Sequence, residues 1–219
     1  MNRTTILASL LLAGLLPAQD PAKDKPKAEP APQAATVLKV GSEVPASLSL
    51  KTTEGRNVKF EDLRGSIVVL HFWSVTCPWE ELAEPKLNQL TTDFKDQKVV
   101  VLAINSNKGE IGDEPTADQF KAEKAEDRPY PRLRAKAKEV AMNHDALVDH
   151  SGDVARLFAA KTTPHCFVID AKGVLRYSGA LDDDGQGKKG KDATPYVANA
   201  VKALLEGREP EVAETQPYG

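Results

Sequence analysis

The chain has 219 residues, of which 41% are hydrophobic and 28% charged, with a formal net charge of −3. That balance is ordinary for a globular protein; it excludes the basic footprint of a nucleic-acid binder and gives no charge-based case for a membrane-surface role. Both ends read differently from the middle, which leaves roughly 170 residues for one domain with one core.

The N-terminus carries Arg3 and then an apolar run, Ile6, Leu7, Ala8, Ser9, Leu10, Leu11, Leu12, Ala13, Gly14, Leu15 and Leu16, followed by Pro17, Ala18 and Gln19. A positive start with a short apolar centre is the pattern of a secretory signal peptide, here residues 1–19 with cleavage after Ala18 or Gln19. The run is too short to span a bilayer. No cysteine stands near the cleavage point, so no stable membrane anchor is expected, and the chain should be periplasmic or extracellular. In such an oxidising compartment two cysteines can pair, and Cys77 and Cys166 are the only ones present. Residues 20–36 are rich in Pro, Ala and Lys with hardly a large apolar side chain, so they cannot offset their ordering entropy and should be a flexible linker.

The folded domain is expected over residues 37–207. Residues 46–51 alternate small or apolar with polar, and Thr53, Glu54 and Gly55 turn into residues 58–60, which predicts a hairpin. Residues 66–73 (Ser, Ile, Val, Val, Leu, His, Phe, Trp) form a continuous β-branched and aromatic run, the mark of a central strand covered on both faces. Leu82, Leu87, Leu90 and Phe94 then fit a helix, and residues 98–105 a second buried strand, so a parallel crossover should join the two strands. Residues 116–125 and 133–141 read as charged helices, residues 146–148 as a short strand and residues 153–160 as another helical stretch. Residues 164–170 and 174–177 flank Ala171, Lys172 and Gly173 as an antiparallel hairpin. An amphipathic helix at 196–205, with Pro195 before it and Gly207 after it, closes the domain, and the tail 208–219 has little to bury.

A cysteine between a buried strand and a helix meets unpaired backbone N–H groups and the positive end of the helix dipole, which favour the thiolate. Cys77, followed by Pro78, stands at such a junction, and a reactive role is favoured over that of an inert core cysteine. The run Phe72, Trp73, Ser74, Val75, Thr76, Cys77, Pro78, Trp79, Glu80 resembles the exported redoxin branch of the thioredoxin superfamily, whose pattern is Phe-Trp-Ala-x-Trp-Cys-Pro-x-Cys. Pro85 matches the proline that kinks that family's active-site helix. Thr163-Pro164, followed by Phe167, Val168, Ile169, Asp170, Ala171, Lys172 and Gly173, is similar to its cis-proline segment and the hairpin beyond. The resemblance implies a thioredoxin-like α/β fold, a central mixed β-sheet flanked by helices on both faces. It also implies thiol-disulfide exchange with protein thiols and disulfides or a small thiol reductant as partners. Cys77 would be the nucleophile, Thr163 and Pro164 the docking surface for a bound peptide, and Trp79 a further contact.

One position departs from the pattern. Glu80 replaces the second cysteine, so a mixed disulfide at Cys77 must be released by another protein, a small thiol or a cysteine elsewhere in the chain. Cys166 is the internal candidate, because residues 164 and 166 share one strand face. A redox-active pair, a structural disulfide and a Cys166 that never pairs all stay open, with non-pairing the default. Pro217, Tyr218 and Gly219 stand where such proteins often carry Pro-x-Gly before a further cysteine, and no resolving group is expected there.

Glu80 is read as complementing the helix dipole in preference to acting as a base, and His71 and His165 as structural. The segment 74–78 also resembles the peroxiredoxin pattern Thr/Ser-x-x-Cys-Pro, with Glu80 matching its glutamate. Leu70 stands where that family has proline, however, and Arg156 is the nearest arginine, so thiol peroxidase is the alternative. A non-catalytic peptide-binding module on the same fold is a third reading. A copper-delivery protein would want a second cysteine at position 81, which is Glu, and Asp182, Asp183 and Asp184 read as a solvated turn, so no metal or cofactor is expected.

Overall fold

The computed structural model describes residues 36–219, besides Met1; the expected signal peptide and nearly all of the linker lie outside the described residues. In chain order the elements are β1 (Ser49–Thr52), β2 (Asn57–Lys59), β3 (Ile67–Phe72), α1 (Glu80–Asp93), β4 (Val99–Asn105), α2 (Lys108–Ile111) and α3 (Pro131–Glu139). They continue with β5 (Asp145–Val148), α4 (Asp153–Leu157), β6 (His165–Ile169), β7 (Leu175–Gly179) and α5 (Tyr196–Leu205). The strands form one mixed sheet in the order β2-β1-β5-β4-β3-β6-β7.

All six residues of β3 are buried, as expected for a strand packed on both faces. It pairs in parallel with β4 across the α1 crossover and antiparallel with β6. Alternation sorts its side chains: Ile67 and Val69 face α1 and α5, whereas Val68, Leu70 and Phe72 meet Val154 and Phe158 of the α4 segment. Both faces are thus covered by helices, the thioredoxin-like arrangement the resemblance implied. The two hairpins form as expected. In the second, Gly173 has a φ of 86°, which glycine adopts freely, and the Arg64 guanidinium occupies the space a side chain there would need.

Three expectations need correction. Leu82 is 40% exposed, because the inner stripe of α1 is Glu80, Ala83, Glu84, Leu87 and Leu90. Two glutamates hide that stripe from a hydropathy pattern. Residues 116–125 form no α-helix; they hold only single 3-10 turns at Gln119–Lys121 and Ala125–Asp127, since the segment has no apolar face to bury. The tail does pack: the Ser178 N–H donates to Ala213 O and the Thr215 N–H to Ser178 O, which runs the tail beside β7. Thr215 Oγ1 also accepts from the Ala180 N–H at 2.9 Å and lies 2.6 Å from the buried Tyr177 hydroxyl, which donates to Ala180 O.

That polar knot anchors the tail. Tyr177→Phe should lower the unfolding free energy by about 1–2 kcal/mol, the usual cost of orphaning buried partners. Urea unfolding measures the loss, and hydrogen exchange at Thr215 should accelerate more than at β3; uniform protection would show that the tail is held by other contacts.

Candidate functional site

The loop after β3 carries the reactive candidate, and one carboxylate shapes it. Glu110, in α2, accepts from Ser74 Oγ at 2.7 Å, Val75 N at 2.9 Å, Thr76 N at 3.1 Å, Thr76 Oγ1 at 2.6 Å and Asn105 Nδ2 at 2.7 Å. Asn105 ends β4 and also accepts from the Asn107 N–H, while Asn107 caps α2 through the Gly109 N–H. The end of β4 thereby delivers Glu110 to the loop. Burial alone would raise its pKa, but the bonds from Thr76, Asn105, Ser74 and Val75 outweigh it and hold the group down at about 2. Nothing in the sequence marked this residue, which is one of 32 acidic side chains.

Cys77 is half-buried, and its thiol donates to the carbonyl oxygen of Thr163 at 2.9 Å. The Thr163-Pro164 peptide is cis, as the resemblance implied. The loop and this segment therefore meet at the sulfur. Cys77 does not lie in the first helical turn: α1 begins at Glu80 with Trp79 at its N-cap, and Cys77 opens the preceding turn, closed by the Glu80 N–H on Cys77 O at 3.2 Å. Trp79 is half-buried with its ring 6.1 Å from that of Tyr218, so the tail borders the site. A cleft of about 320 Å³ opens beside Thr163, lined by Ser74, Asn107, Lys161 and Thr162 among others. A larger hollow of about 830 Å³ between α1 and α5 lies away from the sulfur.

Glu80 departs from its expected role as a surface complement to the helix dipole. It is 1% exposed and neither carboxylate oxygen has a hydrogen-bond partner. Burial first, then Glu84 and Cys77, push its pKa well up, against a weak pull from the Ser74 backbone. Burial thus favours its neutral form, and a negative charge on Cys77 would favour it further.

Cys166 is fully buried on β6, paired in register with His71 and facing α1, and neither cysteine is in a disulfide. Burial, followed by Glu80, Asp182 and Glu84, pushes its thiol well up. His165 is structural, as read: it packs on Phe167 at 4.3 Å, accepts from the Lys161 N–H, and burial lowers its pKa to about 4.

The solvated-turn reading of the three aspartates is corrected. Asp182 and Asp184 are buried; Asp182 takes Lys86 Nζ at 2.5 Å and the Tyr218 hydroxyl at 3.0 Å, while Asp184 accepts from the Lys188 and Gly190 N–H groups. Asp183 pairs with Lys189 at 2.9 Å. These carboxylates hold a loop together with protein donors.

A family model described as the AhpC/TSA family matches residues 40–178. The chain is 26% identical over 141 residues to thiol-disulfide oxidoreductase ResA of Geobacillus thermodenitrificans, covering 64% of this chain and 69% of that one. It is 31% identical over 71 residues to ResA of Halalkalibacterium halodurans, covering 32% of this chain and 40% of the relative. Among solved structures, an uncharacterized conserved protein from Geobacillus kaustophilus is similar, with a TM-score of 0.64 and 28% identity over 83% of this chain and 89% of that one. A hypothetical protein from Sinorhizobium meliloti 1021 has a TM-score of 0.64 and 27% identity over 82% and 93%.

Two carboxyl groups with opposite shifts make two stability predictions. Glu110→Ala strands the donors of the loop and should cost roughly 2–3 kcal/mol at pH 7 in urea unfolding. Because Glu110 is held down, its contribution is complete above its unfolded value and is lost as pH falls toward about 2, so the penalty should shrink in acid. Glu80 is held up, so its ionisation opposes folding as pH rises above its unfolded value. The stability of Glu80→Gln relative to the parent should therefore grow as pH rises above about 5; a constant difference would show that folding does not raise the pKa of Glu80.

Proposed function

We propose, starting from the chain's membership of the AhpC/TSA family, that it is an exported thiol-disulfide oxidoreductase working through a single active-site cysteine. The observation that carries the reading is Cys77 Sγ resting 2.9 Å from the backbone carbonyl that precedes cis-Pro164. The resemblance to thioredoxin-like proteins makes that backbone the place where a partner polypeptide pairs, so a partner seated there would meet the sulfur directly. Trp79 and the cleft beside Thr163 extend the contact surface. The names of the ResA relatives point to the same chemistry.

In the first step the Cys77 thiolate attacks one sulfur of a partner disulfide. The Cys77–partner S–S bond forms, the old S–S bond breaks, and its electron pair leaves on the partner's other sulfur, which takes a proton from water. In the second step an external thiolate attacks the partner's sulfur in the mixed disulfide. A new disulfide forms between the external thiol and the partner, Cys77 leaves with the electron pair, and a second external thiolate then displaces the partner's sulfur, so that the partner ends as two thiols and the two external thiols as their disulfide.

An external thiol suits the second step better than Cys166, whose sulfur is sealed from solvent and strongly disfavours the thiolate. The peroxidase reading has less support: Arg156 is engaged by Ser151 O and Asp153, and the hydroxyl of Ser74, at the Thr/Ser position of that pattern, is spent on Glu110.

Cys77→Ser should abolish thiol-driven reduction of insulin disulfides, while Cys166→Ser stays within about twofold of the parent. Undiminished turnover in Cys77→Ser would favour a peptide-binding module. Loss in Cys166→Ser, with a mass two hydrogens short in the unreduced parent, would make Cys166 the resolving thiol. Sulfenic acid formation at Cys77 that outpaces exchange under micromolar peroxide would make the protein a peroxidase.

A further inference from the structure

Beneath α1, away from the exchange chemistry, three side chains with metal-ligating atoms converge. His71 lies fully buried in β3, Glu84 projects inward from α1, and His144 immediately precedes β5. The two Nε2 atoms are 3.2 Å apart, His71 Nε2 is 3.9 Å from Glu84 Oε1, and all three ligand atoms lie within 4.8 Å of one another. The sheet register explains the meeting. On β4, which lies between β3 and β5, the residue beside His71 is Ala103 and its β5 partner is Ala146, so small side chains leave the rings room. His144 Nδ1 is 3.4 Å from Asn143 Oδ1, and Asn143 is clamped to α1 by bonds with Asn88 and Thr92. A partner on the far ring nitrogen is what orients a ligating histidine.

Among the described residues nothing satisfies the carboxylate at the centre of this cluster. Glu84 is 1% exposed and both its oxygens lack a hydrogen-bond partner. Lys136, whose charge reaches it, is engaged by Glu139 at 2.7 Å. A hydrogen bond between the two imidazoles would satisfy one nitrogen of each ring and leave the carboxylate with nothing, a costly state for a buried polar group. His71 Nδ1 has no partner with or without an added group and does not discriminate.

We propose that His71, Glu84 and His144 form a binding site for a first-row divalent cation of the zinc class, with a fourth position open to water. Two neutral imidazoles and one carboxylate are a donor set suited to such ions. For tetrahedral coordination with bonds of about 2.0–2.1 Å, neighbouring donors stand roughly 3.3–3.4 Å apart. The distances of 3.2 and 3.9 Å lie on either side of that value, and His144, the less buried of the three, can close the remaining edge. The cation would tie α1 to the sheet and put positive charge one helical turn from Glu80. The expectation of no metal centre came from local motifs, and residues 71, 84 and 144 share none.

The test titrates the full chain, freed of metal by a chelator, with zinc chloride in a calorimeter and with cobalt(II) by visible absorption. One equivalent should bind, with the absorption of tetrahedral cobalt(II) and a rise in melting temperature. Glu84→Gln, which keeps shape, and His144→Gln, at the rim, should each weaken binding roughly 100-fold or more, with circular dichroism confirming their fold. The double variant Cys77→Ser, Cys166→Ser should bind as the parent does. No binding, or binding unchanged in both ligand variants, would overturn the site; loss in the double cysteine variant would also overturn it, by assigning the cation to the thiols.

Discussion

Five hydrogen bonds, four from residues 74–76 and one from Asn105, converge on one carboxylate, that of Glu110, and the position of the Cys77 sulfur depends on them. The loop between β3 and α1 has no regular structure of its own to hold it. Its Ser74, Val75 and Thr76 donors would otherwise face solvent or orphan themselves in a partly buried turn. Collected by Glu110, they fix the approach of the chain to Cys77, and Thr163 then receives the thiol from the opposite side. A charge-assisted network of this kind is stronger than neutral bonds and rigid enough to orient a nucleophile.

The inner face of α1 has the opposite character. Glu80 and Glu84 stand one turn apart, buried and without hydrogen-bond partners, where most helices of this fold would place apolar side chains. Ala83, Leu87 and Leu90 supply the packing that holds the helix on the sheet, and the two carboxyl groups are carried inward with them. Burial raises both pKa values, that of Glu84 to about 7 against the pull of Lys136, and for Glu80 the neighbouring Glu84 adds to the rise. Ionisable groups placed this way are expensive, and they gather at functional sites more often than elsewhere. Here one faces the region of Cys77 and the other faces two histidines.

The tail completes the other border of the site. Tyr177 and Thr215 pin it beside β7, and Tyr218 reaches Asp182, which also holds Lys86 of α1. Trp79 sits against Tyr218, so the residue two positions after Cys77 is framed by the far end of the described chain. A partner approaching the sulfur meets a rim built from the loop after β3, the cis-proline segment and the tail.

Much of this was legible in advance. The buried strands announced themselves by unbroken β-branched runs, the hairpins by their turn residues, and the thiol site by Cys77-Pro78 and Thr163-Pro164, because each of those signals is local. The packing of the tail and the burial of the aspartate loop are not legible in the sequence, because their partners lie far away in the chain, and two glutamates mask the inner stripe of α1. The amino-acid order by itself determined the thioredoxin-like α/β architecture and a lone cysteine at the strand-helix junction, since these follow from short-range pattern. Only the tertiary structure decided that Glu110 holds the loop, that Glu80 is buried, and that His71, Glu84 and His144 meet. Those contacts come from sheet register and helix phase, which bring together residues that share no local pattern.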